Sequence, residues 1–515
     1  MYYKNQYVTE QGSSITFGVT KPINMYEPGE KIEYYFILNG DAYKSGTANV
    51  KFYNNNLQVN ETKNHVFTAG TGQPVTGSFT ASKNGLYKVK LIIPDTSRSV
   101  IFSVGVYPKA DQVANSSFYY GVQPYISDVK TSWRAVLYRD GYSELWQTID
   151  WLGCNLVRET GVPWATMQKS EGAAIDFTMM DRVIKDADNR GIMVDWCFLG
   201  TAEWAVMDKY KGDSVLWNKP PRNDVWDKYI RAVATHYQSA DNIQYEIWNE
   251  PDWEFWGGTI DEYLTMLDTS VRSIKSIHPD AYVYPGGMVS NYDLTNAAGK
   301  DSAFYYSKYK ELLDQKMIDN YAIHVHGPFD DFYFFDTFKR INDLLAGANL
   351  EHNGSYINEA GTASSNDKVQ AEELMAKILW SRANDYGMFV AYSYRDFAGT
   401  TKDLFSIMNS NLEPRESFIA YANLIRTLGQ ASYKEKIFNL KSIFADVYKA
   451  GNKYIVPVFA STESGELLKI RSGLSYEAFD IYGNKIAVLN NQLTVKKSVV
   501  YLVFSSSVSA SDFSH

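Results

Sequence analysis

Between Phe118 and Gly429 the chain alternates strand-like and helix-like segments, and this alternation constrains the fold more than any other feature. Eight short apolar runs, at 119–126, 154–159, 191–199, 243–250, 281–286, 321–325, 355–359 and 388–395, are each followed by a stretch of helical periodicity. In the first such stretch Leu145, Trp146, Ile149 and Leu152 share a face; in the second Phe177, Met180, Ile184 and Ala187 do. Further helices are expected at 225–237, 260–277, 303–317, 336–345, 369–384 and 416–428. Eight strand–helix units over roughly 300 residues is the pattern of a (β/α)8 TIM barrel. A doubly wound open sheet is the alternative, but it normally carries a Gly-rich phosphate loop after its first strand, and Gly121-Val122-Gln123-Pro124 is not one.

The flanks have a different texture. Residues 1–108 alternate short apolar runs with turns, as in Ile32–Leu38 before Asn39-Gly40 and Leu86–Ile92 after Asn84-Gly85. Period-two strands with Asn-Gly turns argue for an Ig-like β-sandwich. Residues 109–117 read as a polar linker into the barrel at 118–430. Alternating segments return at 431–505, with Tyr454–Phe459 and Val499–Phe504 as clear strands, and predict a second, C-terminal β-sandwich. The Ser-rich segment 506–515 is expected to be disordered.

Composition narrows the partners. Net charge is −9 with no basic stripe, which argues against nucleic acid. No run of 18 apolar residues exists to span a membrane. Met1-Tyr2-Tyr3-Lys4 opens no signal peptide, which leaves an intracellular protein or a chain shorn of its leader. An extracellular or cell-surface location is the expectation carried forward. The two cysteines, Cys154 and Cys197, lie in apolar runs and read as buried thiols. Aromatic residues make up 15%, which suits a carbohydrate partner, although core packing accounts for most of the tyrosines.

In such barrels chemistry sits at the C-terminal ends of the strands. The fourth run ends Trp248-Asn249-Glu250-Pro251, where the proline stops ladder pairing. The seventh ends Asn358-Glu359-Ala360-Gly361. Strand two brings Arg158 and Glu159, strand three Asp195 and Trp196, strand six His324 and His326, and strand eight Tyr394, Arg395 and Asp396. Two carboxylates facing one another across the mouth are the minimum equipment for glycoside hydrolysis; a separation of about 5–5.5 Å suits retention and about 6.5–9.5 Å inversion. Glu246 shares the side of Glu250 but lies deeper, so it is expected to be a buried partner. His324 and His326 face one side of their strand and could suggest a metal, but a metal site needs further ligands from other strands. No metal and no cofactor are expected, and the histidines are assigned to substrate or to the nucleophile. Trp196, Trp253 and Trp256, with Trp204 and Phe255, follow strands three and four as candidate sugar platforms. Phe329, Phe332, Tyr333, Phe334 and Phe335, with Asp330 and Asp331, could wall a long cleft of the kind an endo-acting enzyme uses.

The motif Trp248-Asn249-Glu250-Pro251 resembles the acid/base motif on strand four of clan A retaining glycoside hydrolases, and Glu359 stands where that clan carries its nucleophile. Arg158 matches the clan's strand-two arginine, and His324 and His326 match its strand-six His or Tyr. The flanking β-domains resemble family 39 and its relatives: β-xylosidases, α-L-iduronidases and bacterial exopolysaccharide endoglycosidases. The resemblance covers the barrel, about 60% of the chain. It implies hydrolysis of an oligo- or polysaccharide by double displacement, with Glu250 as acid/base and Glu359 as nucleophile. Arg158 would hold Glu359 ionised, and Asn249 would bind the sugar 2-hydroxyl. The chain departs from the pattern at strand eight, where many clan members carry a Trp platform and this sequence offers tyrosine; Tyr394 is assigned that place. A transglycosylase using the same residues stays open, as does a metal-dependent hydrolase built on His324 and His326. A non-hydrolytic binding barrel is disfavoured because both carboxylates are present.

Overall fold

The structure, a computed structural model, describes residues 3–10, 13–40, 43, 45–54, 57–68, 71–93, 98–129, 141–160, 162–289, 301–395, 404–409, 411–437 and 442–515. Eight parallel strands form the central sheet: β1 (Tyr119–Val122), β2 (Leu156–Glu159), β3 (Met193–Phe198), β4 (Ile243–Ile247), β5 (Tyr282–Pro285), β6 (Ala322–His326), β7 (Tyr356–Gly361) and β8 (Met388–Ala391). Their order is β5-β4-β3-β2-β1-β8-β7-β6, and a bridge from Met288 to Ile323 joins the two ends. The result is a nearly closed barrel built from the strands read in the sequence, most of them trimmed at one or both ends, with β6 and β7 running on to His326 and Gly361. Helices such as Tyr142–Leu152, Thr178–Asp188 and Ile260–Ile277 cover it with their apolar faces. The last of these opens on a capping box between Thr259 and Glu262.

Strand alternation sorts the barrel interior into two zones. The floor is apolar and aromatic, made by Leu156, Tyr284, Ala322, Tyr356, Met388 and Val390. Tyr356 stacks on Tyr282 at 5.8 Å and meets Tyr284 edge-on at 5.4 Å. Nearer the C-terminal ends the same alternation delivers Arg158, Asp195, Glu246, His324 and Asn358, all buried. The barrel is therefore sealed below and polar above.

Before the barrel, a four-stranded and a five-stranded sheet enclose one apolar core. Phe52 stacks on Phe79 at 4.6 Å and on Tyr87 at 5.0 Å in that core. After the barrel come a six-stranded and a three-stranded sheet. Asn84 and Asn484 tie the two flanks together: the backbone N–H of Asn84 donates to Asn484 Oδ1 at 2.9 Å, and Asn484 Nδ2 donates back to the Asn84 carbonyl at 3.1 Å.

Two expectations need correction here. The tail at 506–515 is ordered. Phe513 is buried and pairs with Ile470 as an added strand, and Asp512 bonds Arg471 at 2.8 Å. One aromatic anchor outweighs the Ser-rich composition. The aromatic run after β6 is not a cleft wall: Phe329, Phe334 and Phe335 pack inward. Phe335 lies parallel to Phe444 at 6.1 Å, Phe329 meets Phe459 at 5.9 Å, and Phe334 meets Trp380 at 5.1 Å. They join the barrel to the C-terminal sheets. Only Tyr333 of the set stays exposed among the described side chains; those of Asp331 and Phe332 lie outside them. Phe459→Ala should therefore lower unfolding stability by about 3–5 kcal/mol, read by urea denaturation, since it opens a cavity in this joint.

Candidate active site

Arg158 is the fixed point of the barrel mouth. Its guanidinium is wholly buried and donates from Nε and Nη2 to Glu246 at 2.7 and 2.9 Å. Nη1 reaches Glu359 Oε2 at 2.6 Å and Gln123 Oε1 at 3.1 Å, and Nη2 also reaches Asn249 Oδ1 at 2.6 Å. Burying such a charge costs several kcal/mol unless its hydrogens are satisfied, and here two carboxylates and two amides do so. Glu246 is the buried partner expected from its depth, and its Oε1 also accepts the Gly287 N–H at 3.0 Å.

Strand β4 stops at Ile247, and the chain then turns through left-handed backbone, with φ of 77° at Trp248 and 45° at Glu250. Non-glycine residues in that region cost roughly 1–3 kcal/mol each and persist only where the surroundings hold them. The Glu250 N–H bonds the Gly287 carbonyl at 3.0 Å, and Trp248 is pinned through its indole N–H to the Phe255 carbonyl at 2.9 Å. Gly286 and Gly287 allow this close approach. A Cβ on Gly286 would lie 2.5 Å from the Trp248 carbonyl oxygen, and one on Gly287 would lie 2.2 Å from His324 Nε2.

The turn aims the Glu250 carboxylate at the barrel axis, where His324 Nδ1 bonds its Oε1 at 2.7 Å. Glu359 lies opposite, with His326 Nε2 3.3 Å from its Oε1. One oxygen of Glu250, one of Glu359 and one nitrogen of His326 all lie within 4.8 Å of one another. Burial alone would raise the Glu359 carboxyl, but the charges of His324, His326 and Arg158 outweigh it and hold the group far below the usual carboxylate range. For His324 burial opposes the charge, yet the Glu359 and Glu250 carboxylates push its pKa above the ordinary value. Burial and the neighbouring Glu246 push Asp195 up to about 8.

The three donors Glu250, His326 and Glu359 are chemically able to hold a cation. The protein's own bases already sit on both carboxylates, Arg158 and His326 on Glu359 and His324 on Glu250. His324 and His326 do not converge as a metal pair: their rings stand 6.5 Å apart at 80°, each turned to a different carboxylate.

Several expected platforms lie elsewhere. Trp196 is buried behind β3 and stacks on Phe198 at 4.7 Å, because Asp195 takes the inward position. Trp256 is buried against Trp248 and Tyr263, with its indole N–H on the Thr259 carbonyl. Tyr394 is buried toward the helices, its hydroxyl bonding Thr148 Oγ1 at 2.8 Å, since β8 ends at Ala391 and strand parity no longer applies beyond it. The strand-eight aromatic at the mouth is Tyr392, 5.5 Å from the His326 ring, with Phe405 at 5.3 Å. Asp396 lies outside the described residues. Trp253 is 40% exposed on the loop after Glu250. Glu159 faces outward and caps the segment after β1, accepting from Ser127 Oγ at 2.8 Å and the Ile126 N–H at 2.7 Å.

Lys377 was not legible as part of this region. It lies fully buried on the helix Asp367–Ala383 and donates to the carbonyls of Gly327 and Gly361 and to Thr362 Oγ1. It thereby clasps the ends of β6 and β7, which carry His326 and Glu359. The apolar neighbours Leu374, Ile378 and Leu379 were the available signal, because they leave that helix without a wholly polar face.

No family model matches the sequence, and no curated protein does. Among solved structures the chain is similar to a family 39 glycoside hydrolase from the gut symbiont Bacteroides cellulosilyticus WH2, with a TM-score of 0.67 and 16% identity over 94% of this chain and 99% of that one. It is also similar to a glucosidase from Croceicoccus marinus, with a TM-score of 0.52 and 12% identity over 78% of this chain and 98% of that one. At these identities the likeness is one of fold.

Two outcomes follow from the electrostatics. Arg158→Met should destabilise the fold by about 3–5 kcal/mol, because it strands Glu246 and Glu359 as unpaired buried charges. Glu359 has a folded pKa below its ordinary value of 4.5, so its contribution to stability is complete above that pH and is lost as pH falls below it. Urea midpoints measured down the acid limb should fall less steeply in Glu359→Gln than in the parent.

Proposed function

We propose that this protein is a retaining glycoside hydrolase acting on an oligo- or polysaccharide. The observation that carries the reading is the approach of Glu250 and Glu359 to within 4.8 Å at their nearest oxygens. That approach is in keeping with the roughly 5–5.5 Å of a retaining pair rather than about 6.5–9.5 Å for an inverting one. Glu359, kept ionised by Arg158 and the histidines, attacks the anomeric carbon as the glycosidic C–O bond breaks. Glu250 gives its proton to the departing oxygen. In the second step the Glu250 carboxylate takes a proton from water, whose oxygen displaces Glu359 from the sugar. His324 orients Glu250. Asn249 spends its carbonyl oxygen on Arg158, and in this reading its Nδ2 donates to the sugar 2-hydroxyl.

Other features fit the same reading. Trp253 offers a sugar-facing surface, and Tyr392 replaces Tyr394 as the strand-eight aromatic. Residues 1–108 and 431–505 act as β-sandwich domains buttressing a catalytic barrel at 118–430.

A screen of aryl glycosides and polysaccharides, with the product anomer followed by NMR, tests the proposal. Net retention is expected. Glu250→Ala should lose about 10²–10⁴-fold in rate, least with leaving groups that need no proton. Glu359→Gln should lose more, whatever the leaving group. Near wild-type turnover in Glu359→Gln, or an inverted product, would sink the reading. Activity that survives a chelator removes the metal-dependent alternative on His324 and His326.

A further inference from the structure

Among the described tryptophans, only Trp217 and Trp253 are exposed, at 44% and 40%. The others are buried or half-buried. Both exposed rings lie on loops that follow β3 and β4, at the C-terminal end of the barrel, where the carboxylate pair also sits. Trp217 lines a groove of about 580 Å³, a size suited to one or two sugar rings.

Trp217, Phe255 and Val215 supply the groove's apolar surface, and Asp213, Lys219 and Glu254 its charged groups. Trp217 and Phe255 pack edge-to-face at 5.9 Å. Lys219 and Asp213 pair at 2.8 Å. The two loops are bound to one another. Asn218 Nδ2 donates to the Glu254 carbonyl at 3.0 Å, and the Gly257 N–H donates to the Asn218 carbonyl at 2.7 Å. The groove is thus a built feature between fastened loops. Gly257 belongs to the construction, because a Cβ there would lie 2.9 Å from Asn218 Oδ1 and 3.0 Å from Lys219 Nζ.

An exposed indole beside paired charges matches the chemistry of a pyranose ring. The C–H face of the ring packs on the aromatic, and its hydroxyls bond the carboxylates and the ammonium. Position supplies the direction. Glu254 and Phe255 follow Glu250 by only four and five residues. The general acid stands beside the oxygen that leaves, so the loop continuing from it lies on the leaving-group side of the scissile bond. From this placement we infer that the Trp217–Phe255 groove is a subsite for sugar units of the leaving group, and that the substrate is a glycan chain continuing past the cleaved bond. The inference rests on the glycosidase reading of Glu250 and Glu359.

The test compares kcat/KM on a 4-nitrophenyl glycoside with that on the disaccharide and hexasaccharide of the same sugar, using the full chain. The parent should gain about tenfold or more from disaccharide to hexasaccharide, through KM. Trp217→Ala should cut the hexasaccharide-to-aryl-glycoside ratio about tenfold, and Trp217→Phe should restore most of it. The aryl glycoside rate in the same preparations reports whether each variant is folded. A parent that turns over the aryl glycoside but shows no gain with chain length overturns the subsite and leaves the glycosidase reading intact. So does a Trp217→Ala protein that keeps the full gain. Absence of turnover on every glycoside defeats both.

Discussion

A single buried guanidinium organises the barrel mouth. Arg158 rises from β2 into a space that the floor below keeps apolar, and its charge is tolerable there only because β4 and β7 each bring a carboxylate to it. Gln123 and Asn249 complete its hydrogen bonds. The position of Glu359 is therefore set by the stability of the fold. Moving it would leave a cation without one of its counter-charges in a region where water cannot replace them. This is how the barrel holds the Glu359 carboxylate rigidly, through the same guanidinium that β4 also pairs.

Charge balance explains the rest of the polar zone. Arg158 bonds Glu246 and Glu359, while Glu250 is met by His324. His324 lies between Glu250 and Glu359 electrostatically, and both raise its affinity for a proton. Asp195, wholly buried beside Glu246, resolves the same conflict in the opposite way, since burial and its neighbour favour its neutral form. Asp195 is thus driven toward its neutral form and His324 toward its charged form, and the charge of His324 favours the ionised form of Glu359. The sealed aromatic floor keeps water from screening these interactions, so each charge acts at short range on the next.

The barrel was largely legible in the sequence because its strands are apolar runs separated by amphipathic helices, and that pattern depends on local periodicity. The placement of Glu250 and Glu359 at the ends of β4 and β7 was legible because the motif closing each strand is local too. What stayed hidden depends on parity and on partners distant in sequence. Trp196 and Tyr394 have the right residue type at the right strand ends, but β3 turns Trp196 outward and β8 ends before Tyr394. The role of Gly286-Gly287 required knowing that Trp248 and His324 would come to lie against it. Lys377 required knowing which carbonyls end under its helix. The tail was misread for a related reason: its serines speak for disorder, while the one residue that decides the matter, Phe513, acts through the distant strand Glu466–Ile470.

The misassigned aromatic run after β6 bears on how a substrate could lie across the mouth. Phe329, Phe334 and Phe335 are consumed in joining the barrel to the C-terminal sheets, and the phenyl rings of Phe444 and Phe459 meet them there. That side of the barrel is closed by the protein's own apolar surface. Tyr392 and Phe405 crowd His326 on the adjoining side. The exposed indoles gather instead beyond β3 and β4, on loops fastened by Asn218 and Gly257. The asymmetry therefore gives the mouth a direction: a snug end framed by Tyr392 and Phe405 near Glu359, and an open end that continues outward from Glu250. On the glycosidase reading proposed above, a glycan lying in that direction would place its scissile bond between the two carboxylates and run its departing portion along the loops that carry Trp217 and Trp253.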